Sequence, residues 1–318
     1  WQHHMKVTLS GYSGPSTLTN FPCALRLSEQ LPGFLYADFA KADGGDLRVT
    51  DTQTGETLRY EIESWNPAGT SVVWVTAARL AGADTAFLLH WGNADAALPG
   101  YASGGLAWAH GFGGVWHLGQ PNALDSTANR NHGTAFGNVT APGLLGNAQY
   151  FDGNDYVRVP DHASLGADVT NRLTVSLWLK PDQTLPKTNE VWRMLEKGDD
   201  YFMVQGYGSA GGAVLLLKKN NGVSAAGNGE DLASNTWHHV CGTYDGSTLR
   251  LYVNGLQKGA ASLAAPIDDD QLPLRIGSDD ADRFFLGVLD ETRVESAARS
   301  ADWVKACYDS QREGSTFG

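Results

Sequence analysis

The segment Leu173-Thr174-Val175-Ser176-Leu177-Trp178-Leu179 alternates, with Leu173, Val175, Leu177 and Leu179 on one side. A period of two belongs to a strand with one buried face. Leu249-Arg250-Leu251-Tyr252-Val253 repeats it between Asp245-Gly246 and Asn254-Gly255. Both dipeptides are hairpin turn signals, because glycine accepts the positive φ such turns need. Residues 237–258 are therefore read as two consecutive hairpins. Further strands are predicted at 5–9, 22–27, 46–50, 58–63, 71–77, 85–91, 155–159, 213–219, 273–277 and 284–294. One helix is predicted, over 297–309, where Ala297, Ala298, Ala301, Trp303, Val304 and Ala306 raise helix propensity.

Strands at short spacing with glycine-rich turns predict an all-β chain, a sandwich or jelly roll, and not a parallel α/β sheet. Pro99-Gly100-Tyr101-Ala102-Ser103-Gly104-Gly105 interrupts the periodicity. It divides the chain into an N-terminal β-sandwich, 1–103, and a second domain, 104–318. The length of 318 residues suits two cores. Glycine-rich phosphate loops, Gly-x-Ser-x-Gly and His-Glu-x-x-His are absent from the sequence.

Charge narrows the partners. Lys and Arg total 23 and Asp and Glu 35, a net charge of −12 without a basic tract. That argues against nucleic acid and anionic membrane as partners. No apolar run approaches the ~20 residues of a membrane-spanning helix. The opening Trp1-Gln2-His3-His4 lacks the charged and apolar regions of a secretory leader. Cys23, Cys241 and Cys307 have neither zinc nor redox spacing and are read as buried small hydrophobes.

Two groups of residues carry candidate chemistry. Asp125, Asn129 and Asn131 crowd oxygen ligands into one loop. Such a set suits Ca²⁺, which takes ~6–8 hard oxygens; it equally suits an Asx-turn network in which the side chains satisfy the loop backbone. Trp192, Tyr201 and Tyr207 flank a segment broken by Gly198, Gly206 and Gly208, close to Arg193, Asp199 and Asp200. Aromatic faces beside polar groups are what a sugar requires, and loop packing is the other reading. Trp65, Trp74, Trp116, Trp178 and Trp237 are read as core, and His239 as an inward structural histidine. The runs 268–270 and 279–282 are read as solvated acidic loops.

Residues 106–310 resemble the laminin-G-like, concanavalin A-like jelly-roll family. The resemblance rests on motifs in family order: Gly114-Val115-Trp116-His117-Leu118, the polar loop 125–133, Tyr150-Phe151-Asp152-Gly153-Asn154-Asp155-Tyr156-Val157, the hairpin from Trp237 to Gly255, and Gly287-Val288-Leu289-Asp290-Glu291-Thr292-Arg293-Val294. It implies a structural Ca²⁺ near the polar loop, assisted by the closing strand, which adds Asp290 to the metal set. Residues 1–100 resemble a bacterial β-sandwich module of undefined function. The carriers are Met5-Lys6-Val7-Thr8-Leu9, Asp43-Gly44-Gly45-Asp46-Leu47-Arg48-Val49, Tyr60-Glu61-Ile62-Glu63-Ser64-Trp65 and His90-Trp91-Gly92-Asn93. This second likeness implies an extracytoplasmic setting.

The function expected is that of a non-catalytic, carbohydrate-binding segment of a bacterial surface or secreted protein. It would lie outside the cell, in the periplasm or on the surface, and bind an oligosaccharide or polysaccharide. The net charge biases it toward neutral over polyanionic sugars, unless bound Ca²⁺ bridges the anionic groups. A protein-interaction, sensor or spacer ectodomain is the first alternative, and a glycoside hydrolase the second. Hydrolysis needs two carboxylates ~5–9.5 Å apart. Asp290 and Glu291 point to opposite faces of a strand, and Glu291 and Glu295 lie ~13 Å apart along it.

Overall fold

A computed structural model describes the chain apart from residues 83–84, 121, 184–190, 199, 206–211, 220–221, 228–231, 265, 280–281 and 318. Strands are the main regular structure of the described chain, which divides into two compact units, Trp1–His110 with Lys305–Gly318, and Gly111–Val304. Among the described residues no helix is long and apolar enough to cross a membrane.

The first unit holds β1 (His3–Thr8), β2 (Leu18–Leu27), β3 (Arg48–Asp51), β4 (Tyr60–Ser64), β5 (Ser71–Leu80), β6 (Ala86–Trp91) and a single turn, α1 (Gly100–Ser103). Each of the six strands overlaps a predicted one. They form two three-stranded antiparallel sheets, β1-β6-β3 and β2-β5-β4. Pro22 is tolerated because β2 is an edge strand, where a missing N–H leaves no ladder bond unmade. The core is aromatic: the Phe39 ring stacks on Trp91 at 5.5 Å and meets Trp65 edge-on at 4.8 Å. Buried Asp46 ties three segments together by accepting from the N–H groups of Ala40, Lys41, Gly92 and Asn93.

The unit's limits differ from 1–103. Trp108 packs its ring on Trp74 at 5.3 Å and donates its indole N–H to Glu61, so the chain stays with the first core through His110. The C-terminus also returns to this core. Phe317 is buried 6.2 Å from the Phe21 ring, and its carbonyl accepts from Gly11 N at 3.1 Å.

The second unit contains β7 (Phe112–Trp116), β8 (Thr134–Phe136), β9 (Val139–Pro142), β10 (Asn147–Asp152), β11 (Tyr156–Val159), β12 (Leu173–Pro181), β13 (Trp192–Lys197), β14 (Tyr201–Gln205), β15 (Ala213–Lys219), β16 (Gly222–Gly227), β17 (His238–Tyr244), β18 (Thr248–Val253), β19 (Leu256–Ser262), β20 (Leu274–Ile276) and β21 (Leu286–Glu295). They build an eight-stranded sheet, β19-β18-β17-β12-β21-β10-β9 with β7 on β21, and a seven-stranded sheet, β16-β15-β14-β13-β20-β11-β8. Leu173, Val175, Leu177, Leu179, Leu249 and Leu251 of the first share one core with Val157, Val159, Leu195, Met203, Leu274 and Ile276 of the second. The hairpins predicted over 237–258 are β17-β18-β19, with Asn254 and Gly255 both at positive φ. β21 carries a bulge opposite β12, and Glu291 takes up φ +51 there.

The helix α2 (Ala301–Gln311) starts four residues later than predicted. Thr174 Oγ1 donates to Ala297 O and accepts from Arg299 N, which holds 297–299 against β12. Ser300 Oγ then accepts from Trp303 N and opens the helix. The division between the units falls inside α2, after Val304.

The returning C-terminus is expected to be structural. Phe317→Ala should lower the stability of the first unit by about 3 kcal/mol, the usual loss for a buried phenylalanine. Urea denaturation of the full chain checks this, and an unchanged midpoint would show Phe317 to be dispensable.

Candidate functional site

The aromatic platform predicted around 192–207 is not a surface. Residues 192–197 and 201–205 are continuous strands, β13 and β14, joined at Gly198 (φ +47). Alternation along β14 turns Tyr201 and Met203 inward; Tyr201 is 0% exposed and donates its hydroxyl to Leu165 O at 2.8 Å. Trp192 is in the same core, edge-on to Phe285 at 6.0 Å. Neither can stack on a sugar. Arg193 is buried against the outer face, its guanidinium 4.1 Å from the Phe202 centroid and its Nε 2.9 Å from Glu196 and 3.6 Å from Asp279. Tyr207 and Asp199 lie outside the described residues.

Of the two readings of the loop 125–131, its geometry supplies the hydrogen-bond network. Asp125 is 1% exposed. Its Oδ1 accepts from Val115 N and Thr127 N, and its Oδ2 from Thr127 Oγ1 and Asn131 N, at 2.8–3.0 Å. Asn129 and Asn131 donate their amides to Gly113 O, and Asn131 also to Ser164 Oγ. Both carboxylate oxygens of Asp125 are thus turned to protein donors. Asp290 serves another loop: its Oδ2 accepts from Leu144 N and Leu145 N. Burial, and then the charge of Glu291, push the Asp290 carboxyl well above its ordinary range. Burial alone would raise Glu291 too, but His117 at 2.7 Å and Arg293 at 2.6 Å hold it below its ordinary value.

A second charged cluster closes one end of the jelly roll. Lys197 is fully buried on the inner face of β13, with its Nζ 3.0 Å from Asp161, 3.5 Å from Asp200 and 3.8 Å from Asp270. The Asp200 carboxylate also accepts from Asp270 N. Burial first, and then the charge of Asp270, raise the Asp200 carboxyl to about 7 against the pull of the Asp270 N–H and Lys197.

The exposed chemistry lies on the outer face of the seven-stranded sheet. Val157 and Val159 of β11 and Leu274 and Ile276 of β20 point into the core, so Tyr156, Arg158 and Arg275 point out. Phe136 on β8 pairs directly with Tyr156; the rings stack at 4.6 Å and 13°, and Phe136 remains 42% exposed. The Arg275 guanidinium sits 4.8 Å from the Tyr156 centroid. One cross-strand row runs Thr134–Arg158–Arg275–Glu196–Phe202, and Phe136–Tyr156 begins the next. Aromatic surface and hydrogen-bonding groups thus share a solvent-facing patch. Sequence reasoning missed it, although Tyr156-Val157-Arg158-Val159 shows the alternation that puts Tyr156 and Arg158 outside.

Residues 151–305 match the family model of the concanavalin A-like lectin/glucanases superfamily. The second unit has a concanavalin A-like fold. Its fold recurs in domain 4 of AbnA, an extracellular arabinanase from Geobacillus stearothermophilus solved with arabinotriose (21% identity, 64% of this chain and 98% of that one, TM-score 0.52). It recurs in the binding domain of Paraclostridial Mosquitocidal Protein 1 (15% identity, 63% and 52%, TM-score 0.54) and in that of botulinum neurotoxin serotype D (14% identity, 63% and 51%, TM-score 0.51). The chain spans about half the length of the two toxin binding domains. At these identities the likeness is one of fold. No curated protein matches the chain.

Two outcomes follow for the buried acids. Asp125→Ala removes four hydrogen bonds and strands buried donors, so a loss of about 3 kcal/mol or more is expected. Denaturation with and without chelator should show the same loss, whereas a chelator-dependent one would place a cation on the loop. For Asp200, the unfolded chain releases the proton near its ordinary 3.8 and the folded chain near 7. Between these values the unfolded state binds fewer protons, so stability falls as pH rises; the contribution is complete below the lower value and gone above the upper. Asp200→Asn should flatten that fall, gaining on wild type at pH 8 and not at pH 4. Urea midpoints across that range are the measurement, and parallel profiles would overturn the assignment.

Proposed function

We propose that the concanavalin A-like domain is a non-catalytic carbohydrate-binding module whose ligand lies across the outer face at Phe136, Tyr156, Arg158 and Arg275. The observation that carries this reading is the exposed Phe136 ring stacked on Tyr156 beside two guanidinium groups. Aromatic rings take the C–H faces of a sugar, and fixed polar groups take its hydroxyls. The fold shared with a domain solved with arabinotriose supports a glycan as ligand. Burial of Asp290, Glu291 and Glu295 against protein partners supports binding over hydrolysis, because no substrate reaches them. Extracellular, periplasmic or surface placement belongs to the same reading.

A glycan array followed by titration calorimetry tests it. Phe136→Ala should weaken the dissociation constant roughly five- to 150-fold, the ~1–3 kcal/mol typical of one stacking aromatic. The melting temperature should barely move, since Phe136 is already half in solvent. Failure of wild type to bind any glycan would give the lead to a protein-interaction or spacer role, and a variant that binds normally would move the site elsewhere.

A further inference from the structure

Arg158 and Arg275 are direct antiparallel partners, so their side chains leave the sheet on the same face from adjacent strands. Like charges placed this way repel and destabilise a sheet. Arg275 has local company: the Tyr156 ring, and Glu196 directly opposite on its other side. Glu196 is in turn 2.9 Å from Arg193. Arg158 differs. It is exposed, and among the described residues it makes no hydrogen bond or ion pair. Its cross-strand neighbours are another arginine and Thr134, which carries no charge. An arginine with no charge partner among the described residues thus leaves the sheet beside a second one, one row from the Phe136–Tyr156 stack.

We propose that this face reads a carboxylate on its sugar, so that the ligand is an acidic saccharide, with Arg158 as the residue that selects for the acid; the inference rests on the glycan reading above. A planar carboxylate matches the guanidinium fork bidentately, and its charge relieves the repulsion between the paired arginines. The chain's net charge of −12 does not oppose this at contact range, because charges more than ~8 Å away are largely screened at physiological ionic strength. The bias toward neutral sugars drawn from net charge therefore gives way to the local pair.

Titration calorimetry on the full chain with matched ligands tests the proposal: oligogalacturonate against its methyl ester, and sialyllactose against lactose. At least one acid should bind about tenfold more tightly than its neutral partner, and high salt should shrink the gap. Arg158→Gln should bring the two dissociation constants together, while Arg158→Lys keeps part of the difference. Circular dichroism confirms that the exposed substitution leaves the fold intact. Equal binding of acid and neutral partner, or a preference that survives Arg158→Gln, overturns the inference and leaves the glycan reading standing. Absence of binding to any glycan, neutral or acidic, removes both.

Discussion

Packing of the seven-stranded sheet on the eight-stranded one assigns every strand residue of the jelly roll to a face. Leu195 and Met203 from one sheet and Val175 and Leu177 from the other fill a single core. Once these side chains point inward, the residues between them have no choice but to point out. Tyr201 is sealed by this constraint and Tyr156 is presented by it. A one-residue slip of β11 against β20 would bury Tyr156 and Arg158 and expose Val157 and Val159, so the same burial that stabilises the domain also fixes the register of the candidate site.

The acidic residues do a different job. Asp46, Asp125 and Asp290 each sit at full or near-full burial and accept from two or more backbone N–H groups of irregular segments. A carboxylate is suited to this because it offers several lone pairs at one point, while an irregular loop carries N–H groups that no ladder satisfies. Lys197 with Asp161, Asp200 and Asp270 extends the device to one end of the jelly roll. Much of what an acidic composition suggests about metals is therefore absorbed by chain connection.

Strands marked by alternation or bracketed by turn signals were legible: all six strands of the first unit, and β11, β12, β15, β17, β18, β19, β20 and β21 of the second. The β13–β14 hairpin was not, because Gly198 and the neighbouring Asp residues resemble a loop, while burial on both sides of these strands removes the alternation that marks a half-buried one. The misplaced platform follows from that single misreading. The loop at Asp125 was legible as a cluster of oxygens, but sequence does not record whether a lone pair faces a backbone N–H or solvent. Nor does it show that β8 lies beside β11, and without that neighbour Phe136 is an isolated aromatic in a turn-rich stretch. Return of the C-terminus to the first core was equally hidden, since Phe317 and Phe21 stand near opposite ends of the chain.

Phe136 itself bears on whether the face has a ligand. It lies on β8, the edge of the seven-stranded sheet, where an exposed apolar residue invites pairing with another chain. The fold blunts that hazard. β8 is only three residues long and ends at Gly137, whose φ of +88 and contact with the Asp155 carboxylate leave no room for a side chain. Asn138 then accepts from Phe136 N at 3.1 Å and donates to Gln149, so an N–H that could recruit a foreign strand is already engaged. An edge that closes its backbone yet keeps a large ring in solvent is guarded against strand addition but open to side-chain recognition. A ligand that meets rings and guanidinium groups, and not backbone, is the kind such an edge can accept.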